Sequence, residues 1–240
     1  MLGLAIVNKQ WALVAVGPVL LAAPGHRVRV GAIAVALSAC FYAPLLAPGL
    51  LDHYTSTAAS AGGGPIFQPW QLWWFLGNHG HVVIGTGGIK FGYRSPPPLI
   101  ESIDHPLIVA LGLPATLLAA RRGSGDALLL LTLLLAARFA LDTWDQIYYC
   151  LPFIVSLLTW ETLRWRRPPV LALAASMLAW YTFEIAPGRV SPDAQAAVFL
   201  AAALPALVAL SVMLYAPPAL SRRRAGEPGA LLSRAPAVPS

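Results

Sequence analysis

Long runs of apolar residues are the feature that most constrains the fold of this chain of 240 residues. At 1.5 Å per helical residue, about 20 residues cross a hydrocarbon core of about 30 Å. Seven runs approach that length, and most of them are separated by short breaks that contain arginine, proline or glycine. The runs cover residues 2–23, 30–46, 106–120, 127–141, 147–163, 168–185 and 194–216.

The composition excludes an ordinary soluble domain. Hydrophobic residues make up 58% of the chain and charged residues only 11%, whereas soluble domains carry about 25% charged residues. Lipid offers backbone groups no hydrogen-bond partner, and no run alternates with a period of two, so helices are predicted. We therefore predict an all-α, polytopic transmembrane bundle of about seven helices at 1–216, followed by a disordered tail at 217–240.

The placement of the charged residues predicts an orientation in the plasma membrane. Alternate breaks and the tail hold 11 of the 16 basic residues, whereas the other breaks hold 7 of the 10 acidic residues. Because basic loops stay in the cytoplasm, the tail is predicted to be cytoplasmic and the long break at 50–105 to lie outside. The basic residues are not interleaved with aromatic residues on one face, so the net charge of +6 does not indicate a nucleic-acid partner.

The same orientation places the N-terminus outside, because the number of predicted crossings is odd. The first run lacks the basic stretch and the cleavage site of a signal peptide. We therefore expect the chain to be the C-terminal part of a longer protein. A fragment, a misassigned start and one half of a split protein are the three explanations.

The long external break contains an aromatic segment and a pair of histidines. Residues 68–76 are predicted to form a short helix that lies at the lipid headgroups or covers an outward cavity, where it would stack on a sugar or an acyl chain. His79 and His81 flank a glycine, and an extended backbone would point both rings the same way. No second spaced pair accompanies them, so neither a metal nor a cofactor is predicted.

Arg138 is the strongest candidate site residue, because it lies inside an apolar run. Helical spacing places Asp142, Asp145 and Tyr149 on the same face. Ionisable residues in a membrane mark binding sites, although a structural pair of Arg138 with Asp142 is the alternative. Lys9 interrupts the first run at the same predicted membrane face. Together these residues predict a site where a cation holds the phosphate of a lipid-linked substrate and a carboxylate serves as a base.

Two segments resemble a known family of membrane enzymes. The first is Gly3–Trp11, with Pro18 after it, which is similar to a recurring segment of polytopic GT-C glycosyltransferases. The second is Leu141–Tyr149 with Pro152, then Trp160 and Glu161, which resembles the late part of glycosyltransferase family 87. That family includes the bacterial mannosyltransferases that use polyprenyl-phosphate-mannose.

The resemblance implies a fold of many transmembrane helices and a hexosyl transfer on the outer membrane face. A sugar, mannose in the named enzymes, would pass with inversion from a polyprenyl-phosphate-linked donor to a lipid or glycan acceptor, without a nucleotide sugar. GT-C enzymes carry their catalytic aspartate in the first external loop, and no such loop precedes Lys9. The catalytic residue of this chain is therefore unknown.

The leading hypothesis is thus the C-terminal part of a GT-C-like transferase. A transporter or flippase module for a lipid or small anion and a non-catalytic membrane scaffold are the alternatives. An internal repeat would favour transport, and the sequence has none, whereas the long aromatic external break favours the transferase. The residues predicted to bind the donor are Lys9, Arg138, Asp142, Asp145, His79, His81 and Tyr149.

Overall fold

The structure is a computed structural model that describes most of the chain. The described residues are 2–8, 10–46, 67–84, 90–122, 126–143, 147–165, 167–187 and 189–216. The predicted tail at 217–240 and residues 50–66 and 85–89 of the external break lie outside these ranges.

The described part of the chain is mostly helical, as the apolar runs predict. Five short turns supplement the helices: 3-10 turns at Gln10–Ala15, Ala43–Leu46, Trp74–Leu76 and Ile147–Cys150, and a π turn at Tyr181–Ile185 that continues the seventh helix. The α-helices are α1 (Leu2–Asn8), α2 (Val16–Ala22), α3 (Arg27–Tyr42), α4 (Pro98–Arg121), α5 (Ala127–Leu141), α6 (Leu151–Trp165), α7 (Val170–Trp180) and α8 (Pro192–Tyr215).

Two helices, α4 and α8, are long and apolar enough to cross a membrane. Each has 24 residues, and their mean hydropathy values are 1.6 and 2.5. Only 22% of the apolar window of α4 and 17% of that of α8 are buried inside the protein. The other apolar helices of the described ranges are shorter, so the number of crossings stays a prediction.

Helix α5 forms the centre of the bundle, between α4, α6 and α8. Its leucines at 129, 130, 133, 134 and 135 are all buried and belong to the largest apolar cluster. A central helix contacts neighbours on several sides, in agreement with the nearly all-apolar sequence of α5, whose polar residues are Thr132 and Arg138. A polar residue on this helix therefore needs a partner within the protein.

Two carboxylates join the helices at the end of the bundle that carries Arg121, Arg122, Arg164 and Arg167, here called the basic end. Asp126 Oδ1 accepts a hydrogen bond from the amide of Leu129 at 2.9 Å and caps α5. Its Oδ2 accepts from Trp160 Nε1 of α6 at 2.8 Å. Arg122 also donates to the carbonyl oxygen of Tyr215, so the end of α8 lies here too.

Glu161 caps α7 from the neighbouring helix α6. This side chain is 1% exposed, and its two carboxylate oxygens accept hydrogen bonds from the amides of Leu171 and Ala172, each at 3.0 Å. The first amides of a helix have no partner within the helix, and a carboxylate there also meets the positive end of the helix dipole. The turn at Pro168 and Pro169 is thereby held against α6.

The segment before α4 differs from the predicted short helix and contains a hairpin that the sequence pattern does not indicate. Helical structure at 68–76 is limited to the 3-10 turn Trp74–Leu76. The strands β1 (Asn78–Ile84) and β2 (Lys90–Ser95) pair antiparallel, with Asn78 opposite Ser95 and an irregularity between His79 and Val82. The described chain is therefore not purely helical.

Gly17 of α2 allows close contact with α4, and this contact predicts a stability effect. A Cβ built at Gly17 would overlap Thr116 Oγ1 and lie 2.9 Å from Thr116 Cβ. Thr116 has little room to turn, because its hydroxyl donates to the Gly112 carbonyl oxygen at 2.6 Å. We expect Gly17→Ala to lower the free energy of unfolding by about 1–3 kcal/mol through overpacking, measured by denaturant titration in detergent micelles.

Gly25→Ala provides the matched control, because nothing lies within 4 Å of a Cβ built there. We expect it to change the free energy of unfolding by less than about 0.5 kcal/mol. Equal losses for the two variants would show that the contact with Thr116 does not limit the size of residue 17.

Candidate functional site

The end of the bundle opposite the basic end holds a cleft with charged walls, here called the polar cleft. Its volume is about 410 Å³, within the range of ligand pockets in general. The beginning of α4 and the end of α5 meet here, because the two helices are consecutive and antiparallel. The cleft is lined by Leu13, His105, Pro106, Ile108, Val109, Ala110, Arg138 and Asp142.

Arg138 and Asp142 form a buried ion pair on one wall of this cleft. Arg138 Nη2 lies 2.9 Å from Asp142 Oδ2, and each residue is 2% exposed. The guanidinium carbon of Arg138 also lies 4.3 Å from the ring centre of Tyr149, a cation–π contact. Asp142 follows the last residue of α5, and its amide donates to the Arg138 carbonyl oxygen at 2.9 Å. Three of the sequence-predicted residues therefore lie together.

Asp104 of α4 lies beside this pair and is completely buried. Its Oδ1 accepts from the amide of His105 at 2.6 Å and lies 2.9 Å from His105 Nδ1. Its Oδ2 accepts from the amide of Thr143 at 3.1 Å and from the Thr143 hydroxyl in a short hydrogen bond. Both oxygens of Asp104 are thus occupied, and they join the start of α4 to the residue after Asp142.

His105 projects from α4 into the polar cleft between two carboxylates. Its Nδ1 faces Asp104, and its Nε2 lies 3.7 Å from Asp142 Oδ1. The side chain is 56% exposed, unlike the carboxylates on either side. A ligand in the cleft can therefore reach this ring.

Asp104, His105 and Asp142 also have the residue types of a metal site. Their potential ligand atoms lie within 4.8 Å of one another. However, Asp104 already accepts hydrogen bonds from Thr143 and His105, and Asp142 already pairs with the guanidinium of Arg138. A divalent cation would have to displace these donors and approach a positive charge, so the arrangement favours a hydrogen-bonded network over a metal site.

The aromatic segment 67–77 closes the end of α5. Trp73 Nε1 donates to the carbonyl oxygen of Leu141 at 2.7 Å, and the Leu72 amide donates to the carbonyl oxygen of Ala140 at 2.7 Å. The last carbonyl groups of a helix have no partner within the helix, so these two donors satisfy groups that would otherwise lack one. The segment thus acts as a cap of the helix that carries Arg138.

A second charged cluster attaches the hairpin to α8. Arg94 Nε and Nη2 donate to Asp193 Oδ1 and Oδ2 at 3.1 and 3.0 Å, a geometry with two parallel hydrogen bonds. Trp74 Nε1 also donates to Asp193 Oδ1 at 2.8 Å. Asp193 lies in the first turn of α8, where a carboxylate stabilises the helix dipole. These contacts position the aromatic segment rather than the polar cleft.

A second cavity of about 320 Å³ lies among α5, α6, α7 and α8. Its walls are almost entirely apolar, and no residue that lines it is charged. An anionic ligand is therefore better suited to the polar cleft than to this cavity.

Of the other sequence-predicted residues, His79 is the one whose side chain the structure describes. His79 lies on β1 opposite Arg94, is exposed and does not line the polar cleft. Lys9, Asp145 and the side chain of His81 lie outside what the structure describes, so their roles stay predictions.

Three residues of the site were not predicted from the sequence: Asp104, His105 and Thr143. Asp104 and His105 stand at the border between the external break and an apolar run, where charged residues normally face water. Only the packing of α4 against the end of α5 shows that Asp104 is buried. The sequence hint for Thr143 is its position directly after Asp142, a predicted site residue at the end of the α5 run.

Comparisons with known proteins add no relatives. No protein-family model matches the chain, and no curated protein or solved structure matches it significantly.

The hydroxyl of Thr143 predicts a measurable stability effect. Thr143→Val keeps the shape of the side chain and removes a donor to the buried carboxylate of Asp104. Hydrogen bonds to charged groups contribute about 1.5–3 kcal/mol, so we expect a loss of that size in the free energy of unfolding, measured in detergent micelles.

Thr159→Val and Thr143→Ser are the matched variants for this test. The exposed Thr159 hydroxyl donates only to the carbonyl of Val155 in its own helix, so its removal should change stability by less than about 0.5 kcal/mol. Thr143→Ser retains the donor and should retain most of the stability. An equal effect of the two valine substitutions would contradict the role of Thr143.

Proposed function

We propose that this chain acts in a membrane glycosyltransferase of the GT-C type, with a polyprenyl-phosphate-linked sugar, mannose, as its donor. The observation that carries the proposal is Arg138, a buried guanidinium on the wall of an accessible cleft. Arginine binds phosphate oxygens through two parallel donors, and a buried arginine in a membrane segment is costly unless it has a function or a partner. The resemblance of residues 141–149 to family 87 supports the same site.

The membrane location is supported by the surfaces of α4 and α8. Large apolar side chains are exposed along both helices, an arrangement that water would not favour. Lipid removes that cost, because hydrocarbon chains can cover the same surface. Examples on α8 are Val198, Leu204, Val208, Val212 and Met213.

The distribution of charges supports an external polar cleft. The arginines of the basic end lie at the opposite end of the bundle, and basic segments favour the cytoplasm. We therefore place the C-terminal tail in the cytoplasm and the cleft at the outer face of a multi-pass bundle with about seven crossings. A lipid-linked donor in the outer leaflet would reach the cleft without leaving the membrane.

The chemistry of transfer assigns these residues a binding role. The acceptor hydroxyl oxygen forms a bond to the anomeric carbon, the bond from that carbon to the phosphate oxygen breaks, and polyprenyl phosphate leaves. Arg138 would hold the phosphate, Asp142 would orient the guanidinium, and Tyr149 would support it from the other side. The proton of the acceptor passes to a base that is not assigned among the described residues.

Binding of the donor tests this proposal directly. We expect purified, detergent-solubilised chain to bind polyprenyl-phosphate-mannose, and Arg138→Lys to weaken binding by about 10- to 100-fold. Because lysine keeps the positive charge beside Asp142, the fold should survive. Binding should weaken because lysine lacks the planar pair of donors that arginine offers to a phosphate. Equilibrium binding with radiolabelled donor is the measurement.

Arg121→Lys is the matched control, because Arg121 is exposed at the basic end of α4. It should leave donor binding unchanged. The double variant Arg138→Gln/Asp142→Asn removes both charges together and should bind no donor while avoiding an unpaired buried charge. Unchanged donor binding in both site variants would show that the pair of Arg138 and Asp142 has only a structural role. Movement of unmodified donor across reconstituted vesicles would favour the transporter alternative instead.

A further inference from the structure

The two carboxylates of the polar cleft present an electrostatic problem for any anionic ligand. Asp104 and Asp142 are buried beside Arg138, and the three ionised groups together carry a charge of one negative unit. An incoming phosphate ester would meet this negative charge in a region of low dielectric, where the repulsion is stronger than in water. Another positive charge is needed for favourable binding.

His105 is placed to supply that charge. Its ring lies between the carboxylates, with Nδ1 2.9 Å from Asp104 Oδ1 and Nε2 3.7 Å from Asp142 Oδ1. Both ring nitrogens are donors only in the imidazolium form, and this form suits acceptors on both sides. Histidine is also the side chain whose charge changes most readily near neutral pH.

Asp104 fixes the direction of this ring. Its Oδ2 is held by the two donors of Thr143, and its Oδ1 accepts from the amide of His105 and faces Nδ1. The ring therefore presents its other nitrogen, Nε2, to the polar cleft. Asp104 is a positioning residue, since it is completely buried and does not line the cleft itself.

The charged and titratable groups around His105 come from three elements. On α4 these are Asp104 and, one turn earlier, the exposed Glu101. Arg138 lies on α5, with Asp142 directly after it. Tyr149, in the turn before α6, reaches this group by stacking on Arg138.

We propose that the polar cleft binds a phosphate ester anion together with a proton, and that His105 takes up this proton. The imidazolium Nε2–H then donates to a phosphate oxygen, and Arg138 binds the same phosphate. No bond of the ligand breaks in this step, because one proton passes from water to Nε2. The inference rests on the anion site of the proposed function and adds its coupling to pH.

Isothermal titration calorimetry of the full chain in detergent tests the coupling. The probes are dioctyl phosphate and polyprenyl-phosphate-mannose, which are phosphodiesters without an ionisation of their own near neutral pH. Titrations in two buffers of different ionisation enthalpy measure the protons bound per ligand. At the alkaline end of a series from about pH 6 to 9, we expect uptake to approach one proton and affinity to fall about tenfold per pH unit.

Variants separate His105 from other proton acceptors. His105→Gln keeps a hydrogen-bond donor but cannot take up a proton, so its binding should become independent of pH. Asp104→Asn should move the pH midpoint of the affinity change to lower pH, which a purely structural role would not do. His26→Gln, at an exposed histidine before α3, should leave the wild-type proton uptake unchanged.

The outcomes distinguish this inference from the proposed function. Binding of both probes by the wild-type chain without proton uptake, or uptake that persists in His105→Gln, would overturn the inference alone. Proton-coupled binding of dioctyl phosphate without binding of polyprenyl-phosphate-mannose would support the inference and contradict the proposed function. Binding of neither probe would overturn both.

Discussion

The site depends on how the carboxyl end of α5 obtains its hydrogen bonds. A helix end leaves carbonyl groups without partners, and burial makes each such group costly. Here the donors come from Trp73 and Leu72, which belong to a segment far away in sequence. That segment is attached in turn to Asp193 of α8, so the cap of the helix that carries Arg138 joins three separate parts of the chain.

Buried charge at this end is tolerated because each group has a defined partner. Asp104 accepts four donors, counting the ring nitrogen of His105, and Asp142 pairs with Arg138. Removing one member of such a network leaves a buried polar or charged group without its partner. The network therefore stabilises the protein only when its members are present together. This dependence explains how a polar cleft can persist beside a core of leucines.

The sequence predicts those features that depend on local periodicity. The helices α4 and α8 follow from apolar runs, and the contact of Arg138 with Asp142 follows from a spacing of four residues. Features that join distant residues were not predicted. Thr143 lies 39 positions from Asp104, and Trp73 lies 68 positions from Leu141, so only the packing of helices brings them together.

The attachment of the hairpin to α8 has a consequence for biosynthesis. Arg94 and Trp74 obtain their acceptor only when Asp193 has been made, about 100 residues later in translation. Such long-range pairing is slow compared with helix formation, so the aromatic segment has to wait for the last helix. Until then the segment whose Trp73 and Leu72 cap α5 lacks its anchor on α8. Completion of the last helix is thus the event that fixes the aromatic cap in place.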